Sequence, residues 1–597
     1  MKLDHRIAVG CLLFASVRGA LENGVLTLNG PPTLPLTASH NLHPALASFS
    51  IETAFFITYT GNISNPNPLT RNLLENLKNR TGHPAEVRIG GITADSTYWN
   101  ASQKTPLFNF IDDSGALQNT TIGPEFWDAI KQLLPEGTEL TFNLNLEDLN
   151  YPATLEMAQT AAQALPPSQL VGLEIGNEPD HYLRFTAQNY TAIWRPWSKN
   201  ISIALNYTTP QFQLATTAED PLWPYDAPGA DAQLGCVSAL KAGANDNDTV
   251  KSCSEHTYQY SVCDPPRIAV ATLPNLVSPD SLRSFLVIKR LIANMQVNHT
   301  RLGMYLDLWQ PRVNFVRDAL GPHGFVIGEY SSVSCSGKDG VSNTFGQALW
   351  LLDTTFYAAS LNISRMYIHQ GGPLALQSST QLNHGGLSRY NLWYPVDNLN
   401  GPTQVFPSYS AYLFITETLG HSRNLRIANI YPGRQSNGST ITTAGGDTSA
   451  GQLVAYGFWD TENPSGHQFP IKLALINMEI YNQTSNETRP NAVFDFASYL
   501  PSPNTPVKVR RLQSPGADVK LGNQTFWAGQ TFAKTGLAEG EVKEETVTGG
   551  KITLEASEAA LIMVDVGGPR PLTVGTNTNG ARGFRALLPF NLFKLRE

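Results

Sequence analysis

From about residue 48 to 420 the chain alternates short runs of strand character, eight of them, with longer runs of helical spacing. The strand-like runs are 47–56, 86–92, 139–146, 171–176, 212–217, 254–260, 324–329 and 364–369. Helical patterns fall at 69–79, 125–134, 154–165, 187–205, 281–320 and 345–360, with a further one at 409–419 after the eighth strand. Parallel strands need crossover connections, so eight such units predict an α/β fold, a closed (β/α)8 TIM barrel. A doubly wound open sheet is the competing architecture. No Gly-x-Gly-x-x-Gly follows the first strand, so dinucleotide binding has no support.

After residue 425 the pattern changes to short β-branched segments between turn signals, at 452–459, 471–478, 507–511, 525–528 and 551–564. That spacing predicts a C-terminal β-sandwich domain. The expected division is a signal peptide at 1–20, an N-terminal segment at 21–45, the barrel at 46–422 and the sandwich with a turn-rich tail at 423–597. Residues 24–28 are a candidate extra strand for the sandwich.

Composition narrows the class. Hydrophobic residues make up 41% of the 597 and charged residues 15%, which suits a large core and excludes a disordered chain. The formal charge of −8, without any dense basic run, argues against nucleic acid or an anionic membrane as partner. Lys2 and Arg6 precede an apolar run, 7–17, with small residues at Gly19 and Ala20. This is the order of a secretory signal, and the run is too short to span a bilayer. Asn-x-Ser/Thr sequons at Asn62, Asn79, Asn100, Asn119, Asn189, Asn200, Asn206, Asn247, Asn298, Asn362, Asn437, Asn482, Asn486 and Asn523 fit a glycosylated, secreted protein. With Cys11 removed in the signal, Cys236, Cys253, Cys263 and Cys335 remain, and four cysteines allow three pairings. Their spacing is not CxxC and no HExxH occurs, so no metal and no cofactor is assigned.

Barrels carry chemistry at the C-terminal ends of their strands. Those ends offer Glu52, Asp95, Glu147, Asn177, Glu178, His256, Tyr258, Glu329 and His369. Glu178 sits in Leu-Glu-Ile-Gly-Asn-Glu-Pro, where Pro179 stops the fourth strand. Glu329 closes the apolar run of the seventh. Strands four and seven face one another across a closed barrel. Two opposed carboxylates are the equipment of glycoside hydrolysis, one giving a proton to the leaving oxygen and the other attacking the anomeric carbon. The competing reading is a pair of rim carboxylates in salt bridges.

Arg88-Ile89-Gly90-Gly91 with Asp95, the segment from Leu173 to Pro179, and Gly328-Glu329 resemble the retaining glycosidases of clan A. The likeness is greatest to glycoside hydrolase family 79, which holds secreted fungal β-glucuronidases and the related heparanases, and it covers most of the mature chain. The resemblance implies Glu178 as acid/base, Glu329 as nucleophile, and a raised pKa at Glu178. Asn177 is suited to the sugar 2-hydroxyl. By the same resemblance Glu52 would meet sugar hydroxyls, His256 and Tyr258 would support the nucleophile, and Tyr409 would meet the uronate carboxylate. Arg88 reads as a structural strand residue because it precedes the glycines.

Heparanase-like members carry a tight glycine turn directly after the nucleophile. Here Tyr330 follows Glu329, and Gly337 and Lys338 come later, so a backbone N–H nest around Gly337 with Lys338 is the candidate uronate site and Tyr330 a candidate lining residue. Cys263 and Cys335 both fall just beyond strand ends on one barrel face, which predicts a bond between them and leaves Cys236 to Cys253. The implied activity is exo-β-glucuronidase, on a glucuronic-acid-containing glycan or a small glucuronide, with or without a 4-O-methyl group. The alternatives are a heparanase-like endo-enzyme, a clan A exo-glycosidase for a neutral sugar, and an inactive carbohydrate-binding barrel. The missing basic cluster weighs against the endo reading.

Overall fold

A computed structural model describes residues 24–113, 115–182, 185–218, 234–263, 268–269, 271–277, 306, 309–372, 388–398, 401–430, 453–463 and 465–566. The expected signal segment, most of the helical pattern at 281–320 and the tail after 566 lie outside them.

Eight parallel strands close into a barrel: β1 Ala47–Glu52, β2 Val87–Gly90, β3 Leu140–Leu144, β4 Leu170–Ile175, β5 Phe212–Thr217, β6 Val250–Ser261, β7 Phe325–Ser334 and β8 Met366–Gln370. They pair in chain order, with β8 returning to β1. The connecting helices include α1 Pro68–Thr81, α2 Pro124–Leu133, α3 Tyr151–Ala164, α4 Ala187–Ala204, α5 Cys236–Lys241, α6 Gln310–Leu320, α7 Phe345–Ser360 and α8 Tyr409–Leu419. Local chemistry marks their starts. Asn67 and Asn150 each accept a bond from a backbone N–H three residues on, with proline in the first turn.

A period of two sorts each strand into two faces. Phe49 and Ile51, Val87 and Ile89, Phe142 and Leu144, Leu173 and Ile175, Phe212 and Leu214 belong to the apolar core shared with the helices. The alternate positions carry Ser50, Glu86, Arg88, Thr141, Asn143, Glu174, Gln213 and Ser252, and these bond to one another inside the barrel. Barrel interiors are usually filled by branched apolar side chains. This one is filled by a hydrogen-bonded polar stack, with Arg365 of the β8 approach on Glu86 at 2.6 Å near its base.

The C-terminal domain has two sheets. Leu425–Asn429, Leu453–Asp460, Lys472–Asn477, Glu558–Val564, Val507–Gln513 and Phe526–Trp527 pair in that order, with Glu545–Val547 beside Val507–Gln513. Val25–Thr27, Asn491–Asp495 and Lys551–Glu555 form the second sheet, with Val25–Thr27 parallel to Asn491–Asp495. Leu26, Phe494, Ile552 and Leu554 meet Leu473, Leu475, Val509 and Ile562 in the core between the sheets. The other face of the large sheet packs on the barrel. Phe356 of α7 meets Tyr456 and Phe458, and Phe414 of α8 meets Trp527.

One element was not foreseen. Thr97–Trp99, Leu107–Ile111 and Leu117–Ile122 form a small sheet inserted between β2 and α2. Its strands are only 3, 5 and 6 residues long, and the sequence reading assigned no strand between 92 and 125. Disulfides join Cys236 to Cys253 and Cys263 to Cys335. No helix among the described residues is long and apolar enough to cross a membrane.

Candidate active site

The site is assembled just past the end of β4 and in the middle stretches of β6 and β7. Gly176 has φ +89°, and Glu178 itself takes the left-handed region at φ 48°, ψ 52°, which few residues with a side chain adopt. Its surroundings hold it there. The Glu178 N–H donates to Thr216 O at 2.8 Å, and the Asn177 N–H donates to Asp95 Oδ2 at 2.9 Å. Asp95 also accepts from the Leu146 N–H at 2.9 Å and from the Tyr182 hydroxyl. Burial pushes the Asp95 carboxyl up to about 7, against the opposing effect of these donors.

Glu329 owes its orientation to a bulge. Glu255 pairs with Ile327 but the next residue of β6, His256, pairs with Glu329, so Gly328 is an extra residue in β7. A side chain at Gly328 would overlap Ser254 Oγ, which restricts the position to glycine. After the bulge Glu329 faces inward. Its Oε2 accepts from Arg88 Nη1 at 2.8 Å and lies 3.4 Å from His369 Nδ1, while its Oε1 accepts from the Tyr258 hydroxyl at 2.6 Å. Burial favours the neutral form, but His369, His256 and Arg88 outweigh it and hold this carboxyl below the usual range.

Glu178 contacts two imidazoles. His256 Nδ1 is 3.0 Å from Oε1, and His181 Nδ1 is 3.4 Å from Oε2. Burial pushes the Glu178 carboxyl up, yet these two rings outweigh it and the net shift is downward. The raised value expected of Glu178 is therefore not what this pocket holds. One oxygen of Glu178, one of Glu329 and a ring nitrogen of His256 lie within 4.8 Å of one another. By spacing alone such a trio could hold a divalent cation. A cation there would stand beside the Arg88 guanidinium already on Glu329, and it would displace the contact between His256 and Glu178, so the chemistry of the set fits proton transfer better.

Arg88 is the hub beneath. It is fully buried and donates to Glu174 at 2.8 Å, Glu329 at 2.8 Å, Asn177 Oδ1 at 2.8 Å and Ser50 Oγ at 3.0 Å. With Asn177 Oδ1 so engaged, its amide N–H groups are the ones left for a ligand. Glu52 accepts from both the N–H and the hydroxyl of Thr93, at 2.7 and 2.6 Å, and lies 3.2 Å from His369 Nε2. Tyr390 packs its ring 6.1 Å from that of Tyr258 and 5.7 Å from His369.

Glu52, Asn177, Glu178, His256, Tyr258 and Glu329 thus converge on one pocket. Three expectations are corrected. Tyr330 faces away: the bulge reverses its parity, and its hydroxyl lies 3.2 Å from Thr355 Oγ1 of α7. Tyr409 is buried between helices, its hydroxyl donating to Leu73 O at 2.8 Å and its ring against Trp393 and Phe532. Lys338 spends its ammonium on Ile268 O at 2.7 Å, and Gly337 packs under the Tyr390 backbone rather than offering an open nest. Arg88 was read as structural alone, yet it touches Glu329 directly. The reading passed over His181 and Tyr390. His181 lies three residues past Glu178, within reach of a sequence argument, whereas Tyr390 comes from a long connection without a motif.

Residues 455–561 match the family described as glycosyl hydrolase family 79 C-terminal beta domain. A β-glucuronidase of Neurospora crassa is 26% identical, the alignment covering 93% of this chain and 99% of that one. A β-glucuronidase of Aspergillus niger is 27% identical over 85% of this chain and 86% of its own. Among solved structures, a 4-O-α-L-rhamnosyl-β-D-glucuronidase from Fusarium oxysporum 12S superposes with a TM-score of 0.68 at 23% identity, over 90% of this chain and 100% of that one. A family 51 arabinofuranosidase from Xanthomonas axonopodis pv. citri shares the fold at a TM-score of 0.54, 12% identity and coverage of 90% and 98%.

Proposed function

The chain belongs to glycoside hydrolase family 79, and from that premise we propose that it is a secreted, retaining exo-β-glucuronidase. It releases terminal glucuronic acid, plain or 4-O-methylated, from glycans or small glucuronides. The observation that carries the mechanism is the approach of the Glu178 and Glu329 oxygens to within 4.8 Å. Retaining enzymes hold their carboxyl groups about 5–5.5 Å apart, and inverting ones leave room for a water at about 6.5–9.5 Å.

In this reading Glu329 attacks the anomeric carbon while Glu178 protonates the departing oxygen. A water then displaces Glu329 with Glu178 taking its proton. Arg88, Tyr258 and His369 keep Glu329 ionised and aimed, and the Asn177 amide donates to the sugar 2-hydroxyl. For the sugar carboxylate Tyr390 is a candidate donor, and the support is that its ring stands 6.1 Å from that of Tyr258 and 5.7 Å from His369 in the same pocket. For secretion, the support is the signal-like segment and the sequons. Asn298 and Asn437 lie outside the described residues, and every other sequon asparagine is exposed or half-buried.

The test is hydrolysis of matched nitrophenyl β-glucuronide and β-glucoside by the wild type, Glu178→Ala and Glu329→Ala, with azide as rescuing nucleophile. Glucuronide should be the preferred substrate. Glu178→Ala should lose roughly 100- to 10,000-fold on poor leaving groups. Azide should give the β-glucuronyl adduct with Glu178→Ala and the α-adduct with Glu329→Ala, because each truncation opens one face of the sugar. Preference for the glucoside would sink the uronate reading. The same adduct from both variants would sink the division of roles.

A further inference from the structure

Glu178 is required as an acid, yet two imidazoles favour its ionised form. The geometry of the segment that follows resolves this. Pro179–His181 is a single turn in which the His181 N–H donates to Glu178 O at 2.8 Å, folding the ring back over the carboxylate. His181 Nδ1 is then 3.4 Å from Glu178 Oε2 and Nε2 is 4.0 Å from Asp180 Oδ2, so the ring spans two carboxylates. The His181 side chain is 65% exposed whereas that of Glu178 is 19% exposed, which puts the ring on the solvent side of the acid.

Resting on the assignment of Glu178 as acid/base, we propose that His181 is its proton-holding partner, a positioning residue that acts through Glu178. The pair shares one proton. In the first half-reaction that proton passes from His181 Nδ1 to Glu178 Oε2 and on to the glycosidic oxygen. The bond from that oxygen to the anomeric carbon breaks with its electron pair, and Glu329 supplies the pair for the new bond. In the second, water attacks the anomeric carbon, the Glu329 bond breaks, and water's proton goes to Glu178 and back to His181. Each cycle returns the pair to its starting charge.

The groups around the pair set its titration. His181 is faced by Glu178 and Asp180; Glu178 is faced also by His256 from β6, at 3.0 Å, and more remotely by Glu329 and Tyr258. The bond with Glu178 outweighs burial and raises His181 to about 9, and burial raises Asp180 to about 6. Two interacting groups titrate as a unit, so the reactive one-proton form of the pair persists until the second proton leaves. Its alkaline limit is then that of the pair and not of an isolated carboxyl near 4.5. Entry of the sugar displaces water from Glu178 and draws the proton toward the carboxylate.

The experiment compares pH profiles of kcat/KM for wild type, His181→Ala and His181→Gln on phenyl β-glucuronide, which needs acid assistance, and on dinitrophenyl β-glucuronide, which does not. Loss of the ring should move the alkaline limb down by about two pH units and so lower phenyl glucuronide turnover by up to about 100-fold at pH values above the wild-type limb, while the dinitrophenyl substrate changes less than about threefold. A purely structural role would reduce both substrates alike and leave the limb in place, and either result overturns the proposal. Glu178→Ala is run beside them. If it lacks leaving-group dependence and azide rescue, the acid/base assignment itself fails. If it shows both while the His181 variants keep the wild-type limb, only the present inference fails. Because the ring is mostly exposed, both variants should fold, and the dinitrophenyl rate reports that directly.

Discussion

Replacing Arg88 by lysine keeps the charge and removes the fork. Arg88 reaches Glu174, Glu329, Asn177 and Ser50 from three nitrogens, at 2.8, 2.8, 2.8 and 3.0 Å. A lysine ammonium is one atom and cannot sit on the carboxylates of β4 and β7 together, so at least one buried carboxylate loses its charged partner. A hydrogen bond to a charged group is worth about 1.5–3 kcal/mol, and breaking a buried pair costs roughly 3–5 kcal/mol. Arg88→Lys should therefore destabilise the barrel by about 3–5 kcal/mol at neutral pH, measured by denaturant unfolding. A second effect should appear in catalysis. The Glu329 carboxyl is depressed in the folded protein, so it contributes stability above its ordinary value of 4.5, lost as pH falls through the folded value. With Arg88 shortened, burial meets less opposition. The acid limb of kcat/KM should rise by about one unit, and the stability gap from wild type should narrow below about pH 4. A double-mutant cycle with Glu329→Gln isolates the pair, with a coupling of about 2 kcal/mol or more expected. Coupling below about 0.5 kcal/mol, with an unmoved acid limb, would refute the view that Arg88 keeps Glu329 ionised.

Three further outcomes follow from the same contacts. Tyr258→Phe deletes the hydroxyl on Glu329 Oε1 at 2.6 Å, and should raise the acid limb while lowering kcat more than it changes KM. Tyr409→Phe should leave KM for the glucuronide unchanged and cost only about 1 kcal/mol of stability, because its hydroxyl serves Leu73 O; a large rise in KM would restore the discarded uronate role. Asp95 has its carboxyl raised from 3.8 to about 7, so the folded protein binds the extra proton and loses stability as pH climbs through that window. Asp95→Asn should flatten the stability profile between those values, and an unchanged slope in thermal scans would count against it.

Much of this protein was legible in its order of residues. Eight alternations of strand and helix dictate a closed parallel barrel, because crossover helices and right-handed connections leave few other solutions. The paired glutamates could be picked out because barrel chemistry sits where strands end, and Pro179 and the close of the apolar run at 325–328 suggested those places in the sequence. The sandwich followed from the change in pattern after residue 425. The small sheet at 97–122 did not, being an insertion within the second strand–helix unit that the repeating pattern does not call for.

Parity and partners were decided by the tertiary structure. Neighbouring residues of a regular strand point to opposite faces, so Glu329 and Tyr330 could not both line the pocket as expected. The bulge at Gly328, forced by the approach of Ser254, turned Glu329 inward and sent Tyr330 to α7. Tyr409 failed for a related reason, its hydroxyl having found a backbone carbonyl on α1 that no local pattern reveals. Arg88 read as a structural residue of β2 and proved to be the link between β1, β4 and β7, because only closure of the barrel brings Ser50, Glu174 and Glu329 to one guanidinium. Sequence sets which groups are present and the period along each strand. Which of them share a proton or a charge depends on distances of about 3 Å between residues far apart in the chain, and those exist only once the sheet has closed.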